Sequence, residues 1–109
     1  MEQLRFDFEG KRATRNAAGH ALVGVVASGN LEVMIEPAAL NGRMHVVVIT
    51  AAQGFVKTWR AVLADFNARH PLADVLVSIN DVGATPAVVS LRLDQAMEAF
   101  EHPELGRTS

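Results

Sequence analysis

The segment Ala21–Pro37 constrains the fold of this chain more than any other. It consists of two apolar runs on either side of the tripeptide Ser28-Gly29-Asn30, and Pro37 ends the second run. Gly and Asn accept the positive φ that tight hairpins require, so the pattern predicts a β-hairpin with its turn at the tripeptide. Such a turn should lift the hydroxyl of Ser28 clear of the sheet.

Three other segments have the composition or period of strands. Alternation predicts a half-buried edge strand over 4–8, a β-branched run predicts a central strand over 45–50, and a further alternating run predicts a strand over 75–80. The three or four strands that come before the first helix follow one another in sequence, and we expect them to be antiparallel neighbours.

Two segments have helical spacing. The first begins near Phe55 and should end before Pro71, because proline bars continuation of a helix. The second segment is ambiguous, because Val89, Leu91 and Leu93 alternate as in a strand, although the longer window has a helical period. Its length and its start at Thr85-Pro86, a good N-cap followed by a residue suited to the first helical position, favour the helix. The resulting order, β-β-β-β-α-β-α, indicates an α+β fold: a mixed or antiparallel sheet of four to five strands with two helices on one face.

The chain should form a single domain over residues 1–109. Half of its residues are hydrophobic and a fifth are charged, which is the balance of a globular protein. The polar, unpatterned stretch 10–19 is expected to be a mobile loop, and 102–109 a frayed tail. The N-terminus carries acids where a signal peptide carries bases, and no apolar run approaches the roughly 20 residues that span a bilayer. We therefore expect a soluble cytoplasmic protein with no membrane partner.

The net charge and the lack of a clustered group of basic residues argue against nucleic-acid binding. The net charge is −2, and the densest basic stretch is Lys11-Arg12 followed by Arg15. Proteins that bind nucleic acids usually carry a clustered basic face, because neutralising phosphates supplies much of the affinity. No nucleic-acid partner is expected.

No catalytic or metal-binding constellation stands out. The chain has no Cys, and its histidines, at positions 20, 45, 70 and 102, are not paired with other ligands at metal spacing. Ser28, His45 and Asp81 form a triad only on paper, because Ser28 lacks the G-x-S-x-G elbow. Glu32 and Glu36 share one face of a strand, which is typical of a solvated face. We predict no catalytic residue and no metal site.

Two separated stretches resemble a known family. Leu22-Val-Gly-Val-Val-Ala-Ser-Gly-Asn-Leu-Glu-Val-Met-Ile-Glu-Pro37 and the run from Asp81-Val-Gly-Ala-Thr-Pro86 to Gln95 are similar to the acyl carrier (δ) subunit of bacterial malonate decarboxylase. The resemblance covers nearly the whole chain. A more distant similarity, through the Ser-Gly turn and the Asp-x-Gly-Ala segment, is to the γ subunit of citrate lyase.

The resemblance implies a non-catalytic carrier subunit of a multi-subunit decarboxylase. The family's serine, which matches Ser28, carries 2'-(5''-phosphoribosyl)-3'-dephospho-coenzyme A through a phosphodiester, and Gly29 and Asn30 would form the turn that presents it. The thiol of this arm holds acetyl and then malonyl as a thioester. The implied partners are the acyl-transferase and decarboxylase subunits, the malonyl transferase, and the phosphoribosyl-dephospho-coenzyme A transferase that forms the holo-carrier. Asp81 matches a family position, where we expect an acceptor at a turn or helix entry.

Three other functions stay open. A citrate-lyase-type carrier is disfavoured by Ala84-Thr-Pro86 and by the valine-rich run before Ser28. A small α+β interaction module without a prosthetic group would share the fold but not the arm. A small hydrolase would turn over simple esters as the purified chain alone, which we do not expect.

Overall fold

The structure, a computed structural model, describes residues 1–10, 12–13 and 24–101. In chain order its elements are β1 (Glu2–Glu9), β2 (Arg12–Ala13), β3 (Gly24–Ser28), β4 (Leu31–Pro37), β5 (Arg43–Thr50), α1 (Val56–Arg69), β6 (Leu72–Ala73), β7 (Val75–Asp81) and α2 (Pro86–Glu101). Apart from the two-residue strands β2 and β6, this is the predicted order β-β-β-β-α-β-α, which is confirmed.

The five long strands form one sheet in the order β1-β5-β7-β4-β3. Strand β7 lies in the middle, where it pairs parallel with β5 and antiparallel with β4. The edge position predicted for β1 and the inner position predicted for β5 are both confirmed. The prediction that the first strands are antiparallel neighbours is confirmed for the β3–β4 hairpin and wrong for the others, because β1 pairs with β5 and β7 lies between β5 and β4. Helix α1 carries the chain from β5 to β7, which lies beside β5 and parallel to it.

Both helices cover the same face of this sheet. Alternate residues of the inner strands are buried there, including Val33 on β4, Val46 on β5 and Val77 on β7. They join one apolar core with Phe66 of α1 and Phe100 of α2. The fold is therefore a two-layer α+β arrangement, as predicted. Buried and less buried residues alternate along the strands, so that the face away from the helices carries the more polar residues.

The helix boundaries follow from local chemistry. Helix α1 ends at Arg69, just before the His70-Pro71 pair, and α2 begins at Pro86. The Thr85 Oγ1 accepts a hydrogen bond from the Val88 amide at 3.3 Å, which is the predicted N-cap. Helix α1 follows β5 and helix α2 follows β7 after short loops. Both helices therefore begin at the end of the molecule where β5 and β7 finish.

The predicted loop over 10–19 lies mostly outside the described residues, as do the first residues of the Ala21–Pro37 segment and the tail 102–109. Within that loop, Arg12–Ala13 pairs parallel with Leu72–Ala73 as a second, two-stranded sheet. In the described part of the chain, no helix is long and apolar enough to cross a membrane.

Candidate functional site

The predicted hairpin is present, and Ser28 is the last residue of its first strand. Ser28 pairs with Leu31 across the hairpin, so Gly29 and Asn30 alone form a two-residue turn. Both turn residues are exposed. The side chain of Ser28 lies outside the described part of the structure, and the expected position of its hydroxyl stays a prediction.

Gly29 contributes open space to this turn. A Cβ built on Gly29 would meet nothing within 4 Å, and the residue does not adopt a φ in the left-handed region. The prediction that the turn requires a positive φ from glycine is therefore wrong at Gly29. The turn is tied from outside instead, because the Val82 amide donates to the Asn30 carbonyl oxygen at 2.9 Å.

Asp81 fixes the loop that makes this contact. Its Oδ1 accepts hydrogen bonds from the amides of Gly83 at 3.1 Å and Ala84 at 2.8 Å, and its Oδ2 accepts one from the Thr50 hydroxyl at 2.8 Å. The side chain is only 4% exposed, and buried carboxylates require such partners. This confirms the prediction that Asp81 is an acceptor at a turn before the last helix.

Ser28, Leu31, Asp81 and Thr50 occupy one cross-strand row of the sheet. With strands about 4.8 Å apart, the backbones of Ser28 and Asp81 are roughly 10 Å apart. The row ends at β3, an edge strand of the sheet. The backbone of Ser28 thus lies at the end of the last strand of the sheet, two strands from Asp81 and the loop that Asp81 holds.

A cavity of about 360 Å³ opens at the same end, between the starts of α1 and α2. Its apolar walls include Phe55, Trp59, Val62, Pro86 and Val89. Phe55 is 50% exposed at the rim, whereas Trp59 is 6% exposed. Trp59 belongs to the buried stripe of α1 and also forms part of the cavity wall.

The structure does not bring together the candidate triad of Ser28, His45 and Asp81. The His45 Nδ1 lies 2.6 Å from Asp7 Oδ1, on the sheet face opposite to that of Asp81, so the paper triad does not form. Glu32 is exposed on that outer face and accepts a hydrogen bond from Asn80 at 3.1 Å. Among the described residues, no group of three His, Cys, Asp or Glu side chains is arranged to hold a metal ion.

Comparison with known proteins assigns the family. The model of the family described as "Malonate decarboxylase delta subunit (MdcD)" matches residues 18–100. The chain belongs to this family. It is also 62% identical over 101 residues to a malonate decarboxylase acyl carrier protein of Xanthomonas euvesicatoria, with 93% of this chain and 96% of the relative covered.

Two further comparisons agree with the delta-subunit family. A malonate decarboxylase acyl carrier protein of Stenotrophomonas maltophilia strain K279a is 63% identical over 100 residues, covering 92% of this chain and 94% of the relative. A chain in the crystal structure of a Pseudomonas malonate decarboxylase hetero-tetramer in complex with malonate has a TM-score of 0.73 and 34% identity, covering 92% of this chain and 99% of that one. The resemblance stated from the sequence is confirmed, and the chain is a subunit of the acyl-carrier type.

Sequence reasoning missed two features of this corner. Val82, which is 64% exposed, was not singled out, although an apolar residue between two turn residues is an unusual choice. The cavity was also missed, because its walls come from two helix starts about 30 positions apart in the chain.

Proposed function

We propose that this chain is the non-catalytic acyl carrier subunit of a malonate decarboxylase complex, with Ser28 as the attachment point of the arm. The arm is 2'-(5''-phosphoribosyl)-3'-dephospho-coenzyme A, joined to the serine through a phosphodiester. When bound, it supplies the thiol that holds acetyl or malonyl as a thioester. The observation that carries the proposal is the position of Ser28 beside an exposed two-residue turn in a member of the delta-subunit family.

The residues of the turn fit such an attachment. A modifying enzyme must bring a bulky nucleotide to the serine, and apart from its two chain neighbours nothing lies within 4 Å of the position that a Cβ would take on Gly29. The Val82–Asn30 hydrogen bond and the Asp81 contacts hold the turn against the body of the protein. The chain has no Cys, so any thioester chemistry needs a thiol from outside the chain.

The proposal also assigns roles to the partners. The acyl-transferase subunit, the malonyl transferase and the decarboxylase subunits would each act on the group at the end of the arm, and the phosphoribosyl-dephospho-coenzyme A transferase would attach the arm. A tethered group visits several active sites at a high effective concentration, which is the advantage of a carrier without chemistry of its own. The matches to malonate decarboxylase proteins favour this over the citrate-lyase-type carrier.

The intact mass of the chain tests the proposal. Co-expression with the phosphoribosyl-dephospho-coenzyme A transferase should add one arm to the wild-type chain and to Ser90→Ala, a control on α2, but none to Ser28→Ala. A reconstituted complex with Ser28→Ala should lose malonate-dependent activity while its circular dichroism stays unchanged. An adduct that persists in Ser28→Ala would overturn the site, and activity that persists would overturn the carrier role.

If the wild-type chain acquires no adduct, Asn30→Asp is the next variant. The family resemblance implies an acid at the position of Asn30, so the transferase would then be expected to modify the variant. A variant that also stays unmodified would favour the interaction module without a prosthetic group.

A further inference from the structure

The cavity between the two helix starts has the properties of a small ligand site. Its volume of about 360 Å³ falls in the range of roughly 300–1,000 Å³ that small-molecule sites occupy. The walls are mainly apolar, with the aromatic rings of Phe55 and Trp59 among them. The carboxylate of Asp81 at its edge is already bonded to Thr50, Gly83 and Ala84. The site therefore suits a flat, uncharged group.

The attachment serine is within short reach of this cavity. Asp81 belongs to the cavity wall and to the same sheet row as Ser28, at a backbone distance of roughly 10 Å. Val82, whose amide holds the Asn30 carbonyl, immediately precedes the wall residues Gly83 and Ala84. A group that is joined to Ser28 through a few sugar and phosphate bonds can span this distance.

We propose that the cavity binds the adenine base of the arm and so anchors the arm near its root. This inference rests on the proposed function. Adenine is the flat, uncharged part of the arm closest to the serine, and bases stack well on aromatic side chains. Because attachment raises the local concentration of the base to about millimolar, even weak stacking is enough to fill the cavity.

The other parts of the arm fit the cavity less well. A malonyl group carries a carboxylate, which would lose its hydration in an apolar cavity beside a second carboxylate, Asp81. The thiol end must also reach active sites on other subunits. Anchoring the base leaves the pantetheine part free to swing and shortens the length of arm that is disordered between transfers.

Trp59 reports on the cavity directly, because it is the only Trp and the chain has no Tyr. The unmodified chain would be titrated with free 3'-dephospho-coenzyme A and, separately, with pantetheine. The fluorescence of Trp59 and the resonance of its indole N–H would be measured in both titrations. The nucleotide should perturb both signals saturably, and pantetheine should not. A stronger response to pantetheine would overturn the choice of adenine, and no response to either would overturn the site.

Phe55→Ala tests the cavity at its rim, and Leu91→Ala is a matched control. Both residues are 50% exposed, but Leu91 does not line the cavity. Phe55→Ala should weaken binding of 3'-dephospho-coenzyme A roughly tenfold, because it removes one stacking partner, whereas Leu91→Ala should leave it unchanged. Equal affinity for both variants would contradict the proposal.

The holo-chain separates this inference from the proposed function. Once intact mass shows the arm on Ser28, Trp59 should be less accessible to acrylamide in the holo-chain than in Ser28→Ala. A chain that carries the arm but shows equal quenching would overturn the adenine site and leave the carrier function standing. If neither the wild-type chain nor Asn30→Asp acquires an adduct, the carrier function is overturned, while the titration with free nucleotide still decides whether the cavity binds the base.

Discussion

The two ends of strand β4 carry turns of nearly the same composition, and they are built in different ways. At the serine end, Gly29 has open space around it and no left-handed φ. At the far end, Asn41 and Gly42 have φ values of 55° and 81°, which is the backbone region that Asn and Gly tolerate best. Gly29 thus leaves open space beside Ser28, whereas Gly42 adopts a left-handed backbone conformation that other residues rarely adopt.

An aspartate lies at each end of β7, Asp74 just before the strand and Asp81 as its last residue, and the two act differently. Asp74, itself at φ 60°, accepts hydrogen bonds from the amides of Leu40 at 3.0 Å and Gly42 at 2.9 Å. The far turn is held further by Gly10, whose amide donates to the Gly42 carbonyl oxygen at 2.9 Å. At the serine end, Asp81 holds the neighbouring loop instead of the turn itself. The turn beside Ser28 is therefore supported from one side and open on the other.

The strongest test of this difference is Gly10→Ala. A Cβ at Gly10 would lie 2.2 Å from the Leu72 carbonyl oxygen and 2.5 Å from the Ala73 Cα, so the backbone at the far end must move. We expect a loss of about 3 kcal/mol in the free energy of unfolding, measured by urea denaturation. A loss below about 1 kcal/mol would mean that the β6 segment gives way easily and that the far end is not rigid.

Asp81→Ala tests whether the serine end depends on its loop. The change leaves the Thr50 hydroxyl and the amides of Gly83 and Ala84 without their acceptor, which should cost about 2 kcal/mol. The Val82 amide should also exchange faster with solvent, as followed by nuclear magnetic resonance. Asp81→Asn, which keeps one acceptor oxygen, is the control and should lose less. Unchanged exchange at Val82 would show that the loop holds its shape without the carboxylate.

Asp74→Asn should have a smaller effect that depends on pH. Hydrogen bonds from the Gly42 amide and then the Leu40 amide lower the pKa of Asp74. Because the folded pKa is depressed, this stabilisation is present above the unfolded pKa of aspartate and is lost as pH falls through the folded pKa. The wild type should therefore exceed Asp74→Asn in urea midpoint near neutral pH, and the gap should close in acid. Parallel curves at all pH values would contradict this assignment.

Gly29→Ala should have the smallest effect on stability, within about 0.5 kcal/mol, because neither space nor φ opposes a methyl group there. Arm attachment to Ser28 should nevertheless slow, since the methyl group occupies the approach to the serine. Thermal melting and the rate of adduct formation measure the two effects separately. A large loss of stability would show that Gly29 serves the fold and would remove the contrast with Gly42.

Much of the fold could be predicted from sequence because its signals are local. The alternation of β1, the His70-Pro71 helix end and the Thr85-Pro86 helix start each depend on a few adjacent residues. The strand order could not be predicted in the same way, because the insertion of β7 between β5 and β4 depends on contacts more than 25 residues apart.

The same distinction applies to the candidate site, where signals in adjacent residues could be predicted from sequence and contacts between distant residues could not. Ser28, Gly29 and Asn30 were predicted as the attachment site from a turn signal and a family resemblance, both of which depend on consecutive residues. The Asn41-Gly42 order is the stronger signal for positive φ, but the open space around Gly29 depends on the folded chain and could not be predicted from its neighbours in sequence. The need for glycine at position 10 likewise comes from a strand some 60 residues later in the chain.

The central position of β7 has a consequence for synthesis. Until β7 has been made, β3 and β4 are joined to each other but lack the strand that links them to β5, and an isolated two-stranded hairpin is marginally stable in water. The loop residue Val82, which contacts the turn, is made later still. A transferase that requires the paired hairpin and its neighbouring loop would therefore pass over chains that end before Val82. Attachment of the arm would then report that all five strands of the sheet have been made.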